Sequence, residues 1–308
     1  MKAPRVCSAL LVCAAVLAAP ATTNVSSASS QPAIAFAPKP GEPWENSLGM
    51  KFVPVPGTSV LFSIWETRVQ DFEAFVKATG HNAGEGWRDP DFASRGSNMD
   101  PDAVFSQTPL HPVTYVSWND AVAFCRWLTE KERAEGRLSA GQEFRLPTDA
   151  EWSQAVGLPA ESGSTPEDKD RKIEDVYPWG AGYPPPRGSG NYSGEGDGYS
   201  VPLNGYTDGV KFTARVGSYT ANWLGIYDMG GNVWEWCSDW FNAEQEDRAM
   251  RGASFNQSTP HFLLSSLHGR KPPGVRDFNL GFRCVVTVAR PRPEATARPS
   301  TNESRRIA

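Results

Sequence analysis

The fold of this chain is decided by Gly225-Ile226-Tyr227-Asp228-Met229-Gly230-Gly231-Asn232-Val233-Trp234-Glu235-Trp236-Cys237-Ser238-Asp239-Trp240. Three tryptophans, two adjacent glycines and three carboxylates share these sixteen residues. Val233, Trp234 and Trp236 ask for burial, and Asp228 and Glu235 need partners if they are buried with them. Gly230-Gly231 permits a sharp turn that leaves backbone carbonyls free to point inward. Oxygen donors gathered around such a turn suit a hard cation such as calcium. The same residues also describe an ordinary turn feeding an aromatic core strand, with two solvated acids.

Working outward, Arg251-Gly252-Ala253-Ser254-Phe255 predicts a strand near the core, and residues 279–286 predict the last strand. On the other side, residues 181–212 are dominated by Gly, Pro, Asn, Asp and Tyr without periodicity. So long an irregular region inside a compact domain is either functional or clamped by something external, for which a bound ion would suffice. Residues 160–176 read as a polar loop. Thr148 with Glu151 forms a capping box that opens a helix, and Ser117 with Asp120 nearly repeats it. That second helix runs toward Gly136 with Ala121, Phe124, Cys125 and Leu128 along one face. His111-Pro112-Val113-Thr114-Tyr115-Val116 predicts a strand before it. Val69, Phe72, Phe75 and Val76 recur at helical spacing up to Gly80, a natural stop. Residues 51–53 and 60–64 predict short strands around a Pro-Gly-Thr turn.

The composition agrees with a loop-rich fold around a bulky core. Among 308 residues there are 28 Gly, 26 Pro and 11 Trp, and only 21% are charged. The net charge of −5 offers no nucleic-acid surface. Lys2 and Arg5 precede a short apolar run at 8–17, and Ala19-Pro20-Ala21 supplies small residues for cleavage, so residues 1–21 read as a secretory signal. The run is too short to span a membrane, and no span is expected after cleavage. Residues 22–42 read as a disordered linker, 43–287 as one domain without internal repeats, and 288–308 as a disordered tail. Secretion or delivery to a periplasm follows. With Cys7 and Cys13 in the signal, Cys125, Cys237 and Cys284 remain. An odd number in an exported protein suggests one disulfide and one unpaired thiol.

Asn232-Val233-Trp234-Glu235-Trp236, followed by Ser238-Asp239-Trp240, resembles the signature of the formylglycine-generating enzyme (sulfatase-modifying factor) family. Further segments match it in order: Pro112-Val113 with Val116-Ser117-Trp118, residues 121–127, Arg145-Leu146-Pro147-Thr148 with Glu151-Trp152, Tyr177-Pro178-Trp179-Gly180, Arg251-Gly252-Ala253-Ser254, and residues 279–283. The resemblance covers roughly residues 50–286. It implies an irregular, loop-rich α+β domain related to C-type lectins. It also implies two structural calcium ions. One set comprises the Asp228 and Glu235 side chains with the Gly231 and Val233 carbonyls. The other comprises the Asn191 and Asp208 side chains with the Tyr192 and Val210 carbonyls. By the same resemblance Cys125 pairs with Cys284, leaving Cys237 a buried thiol.

The family oxidises a cysteine of a sulfatase peptide with two copper(I)-holding cysteines just after the Arg-Gly-Gly-Ser strand. Copper(I) needs soft thiolates. Here residues 238–283 contain no cysteine, so copper is not expected. Ser254, Asn256, Gln257, His261 and Arg270 are the candidate cleft residues at that place, and His261 with His268 is too thin a set to predict a replacement metal. The expected function is a calcium-stabilised peptide- or glycan-binding module, with an exported, sulfatase-like protein or a glycan as partner. The alternative is a protein-modifying oxidase using a divergent site. A sulfoxide-synthase bundle, phosphate loop, zinc spacing and serine elbow are all missing from the sequence.

Overall fold

The helices that open on Ser117 and Thr148 start on a side-chain oxygen that accepts from a free N–H group. In a computed structural model, which describes residues 37–88, 105–197 and 202–288, helix α1 (Val69–Thr79) follows Arg68. The Asp71 carboxylate accepts from the Arg68 backbone and guanidinium, and Gly80 stops the helix at φ 70°. Helix α2 (Trp118–Ala134) opens on the Ser117–Asp120 box and helix α3 (Asp149–Val156) on the Thr148–Glu151 box. A one-turn helix, α4 (Pro166–Lys169), falls in a stretch read as loop, and its Thr165–Asp168 box is visible in the sequence. The signal at 1–21, most of the linker and the tail from 289 lie outside the described residues.

Short strands form three sheets among the described residues. The first orders β1 (Trp44–Glu45), β2 (Lys51–Pro54), β3 (Val60–Ser63), β11 (Val285–Thr287) and β4 (Phe144–Arg145), all antiparallel. The second orders β10 (Leu280–Gly281), β7 (Trp234–Trp240), β8 (Arg248–Arg251) and β9 (Gly269–Lys271). The β10–β7 pair is parallel, with Leu280 opposite Trp234 and Gly281 opposite Glu235. The hairpin of β5 (Val176–Tyr177) and β6 (Gly180–Ala181) stands apart.

β7 is the aromatic strand of the opening stretch, and it sits where the two larger cores meet. Trp236 is fully buried in the core containing Phe72, Phe124 and Phe282, its indole donating to the Val116 carbonyl at 3.0 Å. Cys237 belongs to the second core, with Trp152, Ile226 and Val285. Burying a large apolar side chain stabilises by roughly 2–3 kcal/mol, so these rings fix where the polar groups beside them lie.

Three strand readings need correction. Residues 111–116 form no strand but a single bridge, Arg68 with Pro112. The Val113 N–H goes to the Thr67 carbonyl, Tyr115 sits at φ 54° and its N–H reaches Asp277 instead, so no ladder can continue. The strand expected at 251–255 lies earlier, at Arg248–Arg251, because Gly252 and Ala253 take φ 95° and 62° and turn the chain away. Residues 279–286 are two strands in two sheets rather than one, with Gly281 packed so closely on the Val113 carbonyl that a β-carbon would lie 2.5 Å from it.

Candidate functional site

The turn before β7 is a crowded, polar centre. Asp228 is held at φ 54°, and its Oδ2 accepts from the Gly217 N–H at 2.7 Å. Its Oδ1 is buried with no hydrogen-bond partner, and so is Oε2 of Glu66, a fully buried residue. Glu235 faces the same region but is engaged. Arg283 Nη2 approaches Glu235 Oε1 at 2.5 Å, Arg283 Nε approaches Oε2 at 2.7 Å, and the Trp152 indole donates to Oε2 at 3.0 Å. Arg283 also donates to the Tyr227 and Asp228 carbonyls.

Three buried carboxylates thus share one guanidinium. Burial, with Asp228 nearby, holds the Glu66 carboxyl well above its ordinary range, and burial lifts Asp228 to about 6. A region short of positive charge, with two unpartnered carboxylate oxygens, is chemically suited to a hard cation. Of the donors expected from the sequence, Asp228 retains an open oxygen, whereas both Glu235 oxygens already accept from Arg283. Glu66 is a member the sequence reading missed. It lies in the connection between β3 and α1, without any local pattern to mark it.

The second expected set lies beside the first. Asn191 is fully buried; its amide donates to the Phe212 carbonyl at 2.7 Å, and its Oδ1 has no partner. Asp208 accepts from the Tyr192 and Val210 backbone N–H groups at 2.9 and 2.8 Å, and burial lifts it to about 6. Asn232 joins the two centres: its N–H donates to the Asn191 carbonyl, its Oδ1 accepts from Asn191 Nδ2 and Ala214 N, and its own amide donates to Glu66 Oε1 at 3.1 Å. Gly231 makes this approach possible. A β-carbon there would press on the Asn191 carbonyl and come within 2.8 Å of the Tyr192 ring. The irregular segment is therefore tied to β7 through polar groups.

The candidate cleft residues divide. Ser254 Oγ donates to Asn256 Oδ1 at 2.7 Å, and Asn279 Nδ2 donates to both at 3.1 Å. Asn279 Oδ1 is buried without a partner, which gives this cluster an unsatisfied acceptor. Gln257 borders it through its backbone, its carbonyl accepting from Ser193 N. His261 is exposed on a one-turn 3-10 helix (Pro260–Phe262), against Phe262 at 4.4 Å. Arg270 is exposed in β9 between Glu167 and Asp247. Neither makes contact with the Ser254 cluster among the hydrogen bonds and ion pairs of the described residues.

His268 does not meet His261 either. It is buried, with Nδ1 against the Ser266 carbonyl and Nε2 2.8 Å from an Arg251 guanidinium nitrogen. The Asp149, Glu161 and His268 ligand atoms lie within 4.8 Å of one another, yet Arg251 pairs with Asp149 there and Lys169 reaches Asp149 at 2.9 Å. Protein cations already supply the positive charge. Cys125 and Cys284 come together in the first core with sulfurs 3.5 Å apart, and Cys237 is fully buried elsewhere.

Comparison with known proteins identifies the family and the fold. Residues 58–288 match the sulfatase-modifying factor enzyme 1-like domain. The chain is 31% identical over 281 residues to the formylglycine-generating enzyme of Streptomyces coelicolor, covering 73% of this chain and 77% of that one. It is 32% identical to the Bos taurus formylglycine-generating enzyme, covering 66% of this chain and 49% of the relative, so it spans about half the length of that enzyme. It is also 32% identical to the Bos taurus inactive C-alpha-formylglycine-generating enzyme 2, over 67% of this chain and 57% of the relative. Among solved structures, PvdO from Pseudomonas aeruginosa shares the fold at a TM-score of 0.54 and 20% identity, covering 82% of this chain and all of that one. Sequence motifs, fold and matched domain converge: this chain belongs to the sulfatase-modifying factor family, with an α+β, loop-rich domain of the formylglycine-generating enzyme type.

Proposed function

We propose that this protein is an exported family member that works by binding a peptide or glycan on a calcium-held scaffold, without copper–cysteine oxidation. One observation carries this reading. Where the family's thiol pair would follow the Arg251–Ser254 segment, residues 255–270 contain no cysteine. The three cysteines of the described region lie elsewhere and are at most 2% exposed. Burial raises the Cys125 and Cys237 thiols well above their ordinary range, the opposite of what a copper(I)-holding thiolate requires. Identity does not separate the possibilities, since the chain is 32% identical to a relative named formylglycine-generating enzyme and to one named inactive. Export rests on the charged start, apolar run and small residues of 1–21. No helix among the described residues is long and apolar enough to cross a membrane. Competition for copper(I) against a chromophoric chelator tests the reading: no tight stoichiometric site is expected, and a tight site would revive an oxidase with a divergent centre.

Calcium would be held by Asp228 and Glu66 near the first turn, and by Asn191 with Asp208 beside it. It would supply the positive charge these groups lack. Ions bound only by the folded state stabilise it by about 2.7 kcal/mol at a hundredfold excess over Kd. For a domain of this size that amounts to a melting shift of roughly 5–10 °C. Chelation should therefore lower the melting temperature, and added calcium should restore it in the native protein but less fully in Asp228→Asn. An unchanged melting temperature would remove calcium from the account.

The buried pair Cys125 and Cys284 would close a long loop as a disulfide in an oxidising compartment, stabilising by a few kcal/mol. Peptide mapping of the secreted, non-reduced protein should recover the two linked, with Cys237 free. A free thiol at all three positions would contradict this pairing.

A further inference from the structure

The binding reading leaves open where a ligand sits, and one cavity outside the centres described above is built for one. It encloses about 470 Å³, a size common for small-ligand sites. Its walls include Tyr177, Trp179, Arg187, Ser189, Thr220 and Trp223. None of these belongs to the Ser254 cluster or to the carboxylate centres.

Trp223 is 70% exposed, the most exposed of the large apolar side chains among the described residues. Its open face borders the cavity, where a flat apolar ligand can stack on it. The loop that carries it is held in place. Asn222 Oδ1 accepts from the Leu224 and Ile226 N–H groups, and Asn222 Nδ2 donates to the Ala155 carbonyl at 2.8 Å. Gly157, at φ 92°, leaves room for the ring, because a β-carbon there would stand 3.2 Å from Trp223 Nε1. The Trp179 ring is itself fixed. Its indole donates to the Gly182 carbonyl at 2.9 Å and stacks on Tyr177 at 4.7 Å with the planes 5° apart. The Thr220 N–H donates to the Gly188 carbonyl, which ties together the two loops bearing the walls.

The exposed Trp223 indole and the Trp179 indole, backed by the buried Tyr177 ring, offer flat faces at one cavity. Sugar rings present a matching flat C–H face with hydroxyls at the edge, where Ser189 and Thr220 can exchange hydrogen bonds. Arg187 is the single charged residue of the lining, and it forms no ion pair among the described residues. No carboxylate lines the cavity. An unpaired guanidinium in such a setting selects a carboxylate, which it can bind through two parallel N–H bonds.

We infer that the cavity between Trp223 and the Tyr177–Trp179 stack binds an acidic carbohydrate, its ring against the indoles and its carboxylate on Arg187. This rests on the binding reading above and gives it a site and a ligand class.

The test titrates the full chain with a uronic-acid trisaccharide and with its carboxyl-reduced neutral counterpart, by calorimetry and tryptophan fluorescence. Saturable binding of the acidic sugar is expected, weakened at least tenfold by Trp223→Ala. Arg187→Gln should weaken the acidic sugar at least tenfold while leaving the neutral one unchanged. Both side chains are exposed, so melting temperatures should match the parent and exclude misfolding. Equal affinity for the two sugars, or binding indifferent to Trp223→Ala, would overturn the inference. A sulfatase-type peptide whose binding is lost in Asn256→Ala but kept in Trp223→Ala would overturn it while sparing the binding reading. Failure of both sugars and of the peptide would overturn both.

Discussion

Replacing Arg283 by leucine should destabilise the protein by about 3–5 kcal/mol near neutral pH, the usual result of stripping one partner from a buried ion pair. The guanidinium is fully buried and answers Glu235 through two bonds, with further bonds to the Tyr227, Asp228 and Ser63 carbonyls. Without it, Glu66, Asp228 and Glu235 would lie in the interior with no protein cation, and those carbonyls would lose a donor. The loss should depend on pH. Carboxyls whose folded pKa lies above the unfolded value keep their protons longer when folded, so stability falls as pH rises through that window. Removing Arg283 widens the window. The deficit should therefore be larger at pH 7.5 than at pH 5, with a residue at pH 5 from the unpaired carbonyls. Urea midpoints at the two pH values with an unchanged m-value would show it. A deficit below 1 kcal/mol at pH 7.5 would mean that the carboxylates are neutralised by something other than Arg283.

Gly231→Ala is expected to be almost as damaging, by more than about 3 kcal/mol, for two additive reasons. The residue sits at φ 79°, where a side chain is strained by roughly 1–2 kcal/mol. Its β-carbon would also collide with the Asn191 backbone, which cannot step aside as a flexible side chain could. Because this is where the irregular segment meets β7, the variant should also lose most of its calcium response in a chelator melt. Gly225→Ala is the informative control. Its φ is 78°, but nothing stands within 4 Å of an added β-carbon, so only the conformational strain remains. Equal losses in the two variants would show that the close approach to Asn191 carries no weight.

These two sites also show how far the sequence could be read. Gly230-Gly231 beside Asp228 announces a tight polar turn, and Ser117, Thr148, Asp120 and Glu151 announce helix starts, because each signal is local and has a known geometry. Arg283 appears within a family motif, but its bond to Glu235 spans 48 residues, and the Asn232–Glu66 bond spans 166. No spacing rule connects such positions. Strand limits failed for a related reason. Ala253 and Tyr115 take positive φ under tertiary pressure that their residue types do not advertise. Likewise, His261 and Arg270 are near Ser254 along the chain but make no hydrogen bond or ion pair with its cluster among the described residues, while Asn279, just before β10, completes it. Trp223 gave no signal of its own, since an exposed and a buried tryptophan read alike until the fold is known.

The proposed binding role requires a scaffold that persists without the family's thiol chemistry. The most direct measurement supplies the refolded mature protein with copper(I), oxygen, a reductant and a Cys-x-Pro-x-Arg peptide, and reads the products by mass spectrometry beside an active formylglycine-generating enzyme. Unchanged peptide cysteine with this protein, alongside conversion by the control, is the predicted result. Conversion of that cysteine to an aldehyde by this chain would rule out a purely binding role and require a catalytic centre in which none of the buried thiols takes part.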